Sequence, residues 1–213
     1  MPARTAAARM PVWAKAVPLA IVAVLATWWL ADRHDRVTNE GRLAAIATDI
    51  ARRPVAVRCP GPIGRIMTPA ETTAGAVYLD ADGNLPNETK LRQPVCEELD
   101  ALAEGRRDAQ LACAARSTSC GDDVQSLAWA VNTLAHEAFH LRGILDEGLT
   151  ECYAMQSLAQ TAERLGAAPD QARGLAVLHW ETSPAKKPVQ YGVPPGCADG
   201  ERHDLRKADP AWP

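Results

Sequence analysis

The sequence predicts a mainly helical α+β fold, stapled by disulfides, behind a single N-terminal transmembrane helix. Apolar residues repeat with helical spacing over two long segments, β-prone runs are few and short, and all six cysteines follow an apolar N-terminal run. With 213 residues, 47% of them hydrophobic, the chain has the size of one globular domain plus an appendage. The net charge is −3 and the basic residues are scattered, so we expect no nucleic-acid partner.

Residues 1–36 are predicted to form a cytoplasmic N-terminus and a transmembrane signal anchor. Arg4, Arg9 and Lys15 precede an uncharged run from Ala16 to Ala31, and basic residues ahead of a span favour a cytoplasmic N-terminus. The run has 16 residues where a spanning helix needs about 20, so a cleaved signal peptide is the alternative. Either way, the chain from about residue 37 onward is expected outside the cytoplasm. An uncleaved anchor implies a single-pass protein of the cell membrane.

A stalk helix is predicted next, over residues 37–53, because its apolar residues have helical spacing and Pro54 follows. The ectodomain proper is expected over 54–182. Within it, two short β-prone runs predict strands at 55–59 and 76–79. A segment with Pro in its first turn predicts a helix at 94–105.

The cysteines indicate an oxidising compartment. Their even number and their position after the apolar run predict three disulfides, and the absence of CxxC argues against a cysteine zinc site. Six cysteines allow 15 pairings, of which local spacing suggests only Cys113 with Cys120. The six are Cys59, Cys96, Cys113, Cys120, Cys152 and Cys197.

A helix predicted over 122–142 carries the strongest chemical signal. An aspartate can cap its start, Gly143 can end it, and no Pro interrupts it. It contains the motif HExxH at His136, Glu137 and His140. Histidines four apart on a helix point the same way and can bind one Zn²⁺, while the glutamate can act as general base. The alternative is a pair of ordinary histidines.

Three carboxylates follow the motif, and a catalytic zinc site needs a third protein ligand. A second helix from about Asp146 to Leu165 would form an αα-hairpin with the first, and Glu147 and Glu151 share one of its faces. We predict Glu147 as the metal ligand and Glu151 as the residue that orients a ligand histidine, although the two could exchange roles. Asp146 lies off that face, which suits an N-cap, and it remains an alternative ligand. Alternatively, both glutamates lie in solvent or complement a helix dipole.

The chain closes with a helix from about 167 to 180 and a Pro-rich tail, 183–213. Cys197 lies in this tail, which favours a tail packed on the domain over a disordered one. Polar aromatic residues in this part of the chain that could donate to a developing oxyanion are His179, Tyr191 and His203.

The metal segment resembles two clans of zinc peptidases. HExxHxxGxxD, from His136 to Asp146, resembles metzincins that use Asp as third ligand. EGLTECYA, residues 147–154, resembles the ExxxD-x-[YF]-A helix of gluzincins, in which the first carboxylate binds the metal and the second orients a histidine. The gap between His140 and Glu147 is much shorter than in gluzincins, so the hairpin is expected to be compact.

The stretch LAHEAFHLRGILDEGLTECYAMQ, the six cysteines and the N-terminal anchor also resemble a family of uncharacterised, membrane-anchored HExxH proteins typical of actinobacteria. That family implies no particular activity. The zincin resemblance implies a small sheet against the metal helix, whose edge strand, here Val77 to Leu79, would hold an extended peptide.

These features together predict a membrane-anchored, extracytoplasmic, zinc-dependent metallopeptidase-like hydrolase with a peptide or protein substrate. An alternative from another class is a non-catalytic extracellular binding or structural module stabilised by zinc, in which Glu147 and Glu151 both coordinate and close the site. A third interpretation has no metal and leaves a disulfide-stapled helical ectodomain.

Overall fold

The protein is described by a computed structural model that covers residues 12–61, 75–77, 82–117, 119–183 and 192–207. The chain forms two compact units, Met1–Thr38 and Asn39–Pro213. The described residues form six helices and three short strands, which confirms a mainly helical fold. In chain order the elements are α1 (Val12–Ala51), β1 (Ala56–Arg58), β2 (Gly75–Ala76), β3 (Glu88–Leu91), α2 (Gln93–Ala103), α3 (Asp108–Ala114), α4 (Asp122–Leu141), α5 (Glu147–Arg164) and α6 (Pro169–Thr182).

The first unit contains the N-terminal part of α1, where apolar side chains are exposed. Val24 is 65% exposed and Trp28 is 57% exposed. Among the described residues, no helix is both long and apolar enough to cross a membrane. The transmembrane helix predicted at 16–31 therefore finds no support in them, and residues 1–11 of the predicted N-terminal segment lie outside the described part of the chain.

The segment predicted as a stalk belongs to the second unit from Asn39 onward. Leu43, Ile46 and Ala47 are at most 2% exposed and lie in the main hydrophobic core. The helical spacing of these residues was interpreted correctly, but the apolar face packs into the domain instead of standing apart from it. Burying such a face stabilises a helix far more than its intrinsic propensity does.

Helix α4 is the centre of the second unit. It packs against α2, α3, α5 and α6 and against strands β2 and β3. Every residue from Ala130 to Leu141 is buried, as expected for a helix with neighbours on all sides. The apolar residues that repeat with helical spacing along this helix form a buried stripe, whose members are at most 2% exposed: Val124, Leu127, Ala128, Val131, Leu134, Ala135 and Ala138.

The sheet has the order β1-β3-β2. β1 runs parallel to β3, with Val57 opposite Thr89, and β2 runs antiparallel to β3, with Ala76 opposite Lys90. Thr89 is 1% exposed and points toward α4, so this small sheet covers one side of the central helix.

Two of the three strands overlap predicted strands. β1 lies within the run predicted at 55–59, and β2 touches the start of the run predicted at 76–79, of which Tyr78 and Leu79 lie outside the described residues. β3 was not predicted, because Glu-Thr-Lys-Leu contains a single apolar residue and therefore has little strand signal.

Three disulfides connect the elements, as predicted, and the pairing of Cys113 with Cys120 is confirmed. None of the described cysteines is free. One bridge joins the end of β1 to α2, one closes the loop ahead of α4, and one ties the C-terminal segment to α5. The pairs are Cys59–Cys96, Cys113–Cys120 and Cys152–Cys197.

The described part of the tail, residues 192–207, packs on α5. The amide of Gln156, which is 2% exposed, donates to the His203 carbonyl at 2.8 Å and accepts from the Leu205 N–H at 2.7 Å. This side chain pairs with backbone as a neighbouring strand would, so the segment is held by hydrogen bonds as well as by the Cys152–Cys197 bridge.

Candidate metal centre

The turn between α4 and α5 positions the candidate site. Gly143 has φ +101°, a left-handed conformation that ends α4 at little steric cost. Helix α5 then begins at Glu147, and the Asp146 carboxylate caps it by accepting the Leu149 N–H at 2.7 Å. This compact αα-hairpin places the first turn of α5 beside the last turns of α4. The structure places Asp146 at the cap and outside the ligand cluster.

Three side chains converge where the hairpin closes. The ligand atoms of His136, His140 and Glu147 all lie within 4.8 Å of one another. Glu147 Oε2 is 3.0 Å from His136 Nε2 and 3.3 Å from His140 Nε2. Ligand atoms bound to one tetrahedral zinc ion at about 2.0 to 2.1 Å are themselves roughly 3.3 Å apart. The group can therefore hold a metal ion.

The Nδ1 atom of each histidine has a hydrogen-bond partner on the side of the ring away from the ligand cluster. His136 Nδ1 lies 3.1 Å from Glu151 Oε2, and His140 Nδ1 lies 2.7 Å from the Ile144 carbonyl. A carboxylate or carbonyl oxygen only accepts hydrogen bonds, so Nδ1 carries the proton in each neutral ring. In that neutral tautomer Nε2 carries the lone pair that a metal requires. In the metal-free protein His136 is protonated, because its pKa is raised to about 9, and its Nε2–H donates to Glu147.

Glu151 is the centre of a buried polar network. It is 2% exposed and accepts from Asn132 Nδ2 at 2.9 Å and 3.2 Å, one contact to each carboxylate oxygen. His179 approaches from α6, with Nε2 3.8 Å from Glu151 Oε1. The structure thus places Glu151 behind the His136 ring, whereas Glu147 faces Nε2.

Glu137 lies between α4 and the sheet. It is 5% exposed, and Thr89 Oγ1 is 3.4 Å from its Oε2. Strand β2 passes so closely that a Cβ on Gly75 would lie 2.6 to 2.7 Å from the Glu137 side chain. A larger residue at position 75 would force the Glu137 carboxyl group out of this position beside β2.

Burial and charge set the protonation of these groups in the metal-free protein. Burial raises the pKa of Glu137 to about 7, against the opposing effect of His136. Burial alone would lower the pKa of His136, but hydrogen bonds with Glu147 and Glu151 outweigh it and raise that pKa to about 9. The pKa of His140 is lowered, mainly by burial. The hydrogen bond from His136 lowers the pKa of Glu147.

Comparison of the chain with protein-family models, with curated proteins and with solved structures finds no match. What the cluster does is therefore inferred from its own residues and geometry.

Other residues at the centre were not predicted from the sequence. Asn132 precedes His136 by four residues, so its place on the same helix face could have indicated it. Thr89 and Gly75 carry no such signal, because they reach Glu137 only through the fold of the sheet.

Two of the three predicted oxyanion donors, His179 and His203, lie in the described part of the chain, and both have contacts away from the ligand atoms. His179 lies in the network behind His136, and His203 bonds through Nε2 to the guanidinium of Arg202. Tyr191 lies outside the described residues.

Proposed function

We propose that the protein is an extracytoplasmic, zinc-dependent hydrolase of the metallopeptidase type. The observation that carries the proposal is the convergence of two imidazole nitrogens and the Glu147 carboxylate. The buried carboxyl group of Glu137 is close enough to this cluster for the charges of His136 and Glu147 to affect its pKa. Two histidines and one glutamate form a donor set found in catalytic zinc sites, and they leave a fourth position open. Zinc in such a site acts as a Lewis acid and lowers the pKa of water toward neutrality.

Each residue of the metal centre has a role in this proposal. His136, His140 and Glu147 would bind the ion, while Glu151 and the Ile144 carbonyl hold the two rings in the required tautomer. The Glu137 carboxylate would accept a proton from the attacking water and return it to the leaving amine. In the metal-free protein burial raises the pKa of Glu137 to about 7, and a bound cation would lower it, so the carboxylate form that acts as base would be present at neutral pH.

The proposed location outside the cytoplasm rests on the three disulfides, which persist in oxidising compartments. We further propose that residues 1–36 act as an uncleaved single-pass anchor, on the basis of their charge and apolar pattern. Retention of the intact chain in membranes after alkaline extraction is the expected result. A soluble chain shortened at its N-terminus would contradict the anchor. The proposed location outside the cytoplasm would still stand in that case.

One observation favours a second candidate, a zinc-stabilised binding or structural module without turnover. Glu137 is 5% exposed and lies directly against Gly75 of β2, an arrangement that also suits a purely structural carboxyl group. In that case zinc binding contributes folding free energy only, and chelation lowers the melting temperature of a protein that hydrolyses nothing.

The first experiment is to measure the zinc content of the oxidised full-length protein, beside a His136→Ala/His140→Ala variant. One zinc per chain in the wild type and none in the variant are expected. Cleavage of a mixed peptide library, followed by mass spectrometry, then separates the hydrolase from the binding module.

Glu137→Gln tests the mechanism. It should bind zinc normally and cleave nothing, whereas Glu163→Gln, an exposed glutamate of α5, should behave like the wild type. A Glu137→Gln protein with full activity would refute the mechanism. A wild type that binds zinc and cleaves no peptide would favour the module.

A further inference from the structure

Asn132 is a buried amide one helical turn before the first histidine. It is 3% exposed, and residues 132, 136 and 140 are spaced so that they share one face of α4. Burying an amide costs free energy unless it is hydrogen-bonded. Its Nδ2 makes two contacts, both with the Glu151 carboxylate. Among the described residues, its Oδ1 accepts no hydrogen bond.

An amide that only donates, at a buried position, is costly for stability. An unsatisfied buried acceptor lowers the stability of the folded state, and an apolar residue of similar shape would avoid that cost. Asn132 provides a hydrogen-bond donor to Glu151 that an apolar residue could not provide. The carboxylate only accepts hydrogen bonds, so the atom facing it must be a donor.

The contact fixes how the Glu151 carboxylate is turned. Asn132 Nδ2 lies 2.9 Å from Oε1 and 3.2 Å from Oε2, so a rotation of the carboxylate would lengthen one of these contacts. The same Oε2 lies 3.1 Å from His136 Nδ1. The direction of the His136 ring therefore depends on an amide of its own helix, acting through a residue of α5.

We propose that Asn132 is a positioning residue of the metal centre: it locks Glu151, and Glu151 holds His136 with Nε2 directed at the incoming ion. This inference rests on the proposed function, since it concerns the same cluster. Asn132 and His136 belong to one rigid helix, so the contact between Asn132 and Glu151 fixes the position of α5 along α4 where the ligands lie. The site is thereby organised before a metal binds.

The test compares Asn132→Leu with Thr133→Val in the oxidised full-length protein. Leu has the same branched arrangement of heavy side-chain atoms as Asn, is somewhat larger, and has no donor. Thr133 is the next residue of the helix, is 5% exposed, and donates to the Trp129 carbonyl at 2.8 Å, so its variant removes a buried polar group unconnected to Glu151. Zinc affinity is measured by competition with a chromogenic chelator, and the melting temperature is measured on the metal-free protein.

Asn132→Leu should bind zinc more weakly, by at most the roughly 10 to 100-fold that loss of a residue orienting a ligand costs, while Thr133→Val keeps the wild-type affinity. Cobalt(II) bound to Asn132→Leu should show a changed visible spectrum, since that spectrum reports ligand geometry. Unchanged zinc affinity and an unchanged cobalt spectrum would overturn the proposal, whatever happens to the melting temperature, because Asn132 would then be purely structural.

Two further arms complete the design. If Asn132→Leu does not fold, Asn132→Ser takes its place in the same measurements. Its side chain is too short to reach Glu151, so the same loss of zinc affinity is expected.

In a Glu151→Gln background the loss of zinc affinity caused by Asn132→Leu should shrink, because the effects of substitutions at contacting residues are not additive. A wild type that binds no zinc would refute the proposed function itself, whereas full affinity in Asn132→Leu would refute only the positioning role.

Discussion

Glu147 and Glu151 show how position decides what one residue type does. They lie four residues apart on α5, yet the side chain of Glu147 is 38% exposed and faces the Nε2 atoms, whereas that of Glu151 is 3% exposed and faces Nδ1 of His136. The exposed carboxylate can exchange a histidine contact for a metal bond. The buried one is committed to Asn132 and His136.

Replacing these glutamates should weaken zinc binding to different extents. Glu147→Ala removes a ligand, while Glu151→Ala removes an orienting residue, whose loss typically costs about 10 to 100-fold. Chelator competition should therefore give the larger loss for Glu147→Ala. Glu163→Ala, at an exposed position of the same helix, serves as the control with unchanged affinity. A larger loss in Glu151→Ala would reverse the assignment.

The raised pKa of His136 makes the metal-free protein pH-sensitive. The pKa of this histidine is about 9 in the folded state and about 6.5 when unfolded, so the folded state binds more protons between these values. The stabilisation is complete below pH about 6.5 and is lost as the pH rises through 9, and it amounts to on the order of 3 kcal/mol at about 1.4 kcal/mol per pKa unit.

Thermal unfolding in the presence of a chelator, from pH 7 to 9, measures this loss. His136→Gln should flatten the decline. His140→Gln should leave it in place, because the pKa of His140 is lowered and this ring is already neutral in that range. An equal decline in all three proteins would exclude His136 as the cause.

At the scale of elements, close helix contacts hold α4 in place. Helix α6 approaches α3 at Gly174, where a Cβ would lie 2.1 Å from the Ala114 carbonyl oxygen and 2.5 Å from its carbon. Backbone cannot move aside as a side chain can. The small residue therefore sets the distance between the two helices, both of which pack on α4.

Gly174→Ala should destabilise the protein by about 1 to 3 kcal/mol, the usual effect of overpacking. Gly41→Ala is the matched substitution, since Gly41 lies inside α1 and a Cβ there meets nothing within 4 Å. It should stabilise by about 0.5 to 1 kcal/mol through helix propensity. Equilibrium unfolding in guanidinium chloride measures both changes. A neutral Gly174→Ala would mean that α6 can shift freely.

For the whole molecule, the disulfides close loops of very different length. The bridge between Cys152 and Cys197 spans 45 residues, and that between Cys113 and Cys120 spans 7. A bridge stabilises mainly by restricting the unfolded chain, and the restriction grows with loop length. The long bridge also holds residues 192–207 against α5.

Removing the long bridge should therefore cost more than removing the short one. Chain entropy gives about 4 kcal/mol for Cys152→Ala/Cys197→Ala and about 2 kcal/mol for Cys113→Ala/Cys120→Ala. Guanidinium unfolding under non-reducing conditions compares the two variants. Hydrogen exchange should show faster exchange over residues 192–207 in the first variant alone. Equal costs would contradict the loop-length argument.

Local patterns carried much of the prediction. The stripe of α4 and the Asp146 cap depend on residues close in sequence, so helical spacing and side-chain chemistry indicate them directly. β3 was missed for the opposite reason: its pairing with β1 joins residues about 30 positions apart, and its sequence has little strand signal of its own.

The sequence by itself determined a helical, three-disulfide domain and a hairpin with His136, His140 and two glutamates on facing surfaces, because spacing along a helix fixes direction. The tertiary structure decided which glutamate meets the Nε2 atoms and that α1 belongs to the core from Asn39 onward. It also decided that Asn132, Thr89 and Gly75 surround the centre. Such contacts depend on how elements that are distant in sequence pack against one another, and no local sequence pattern encodes that packing.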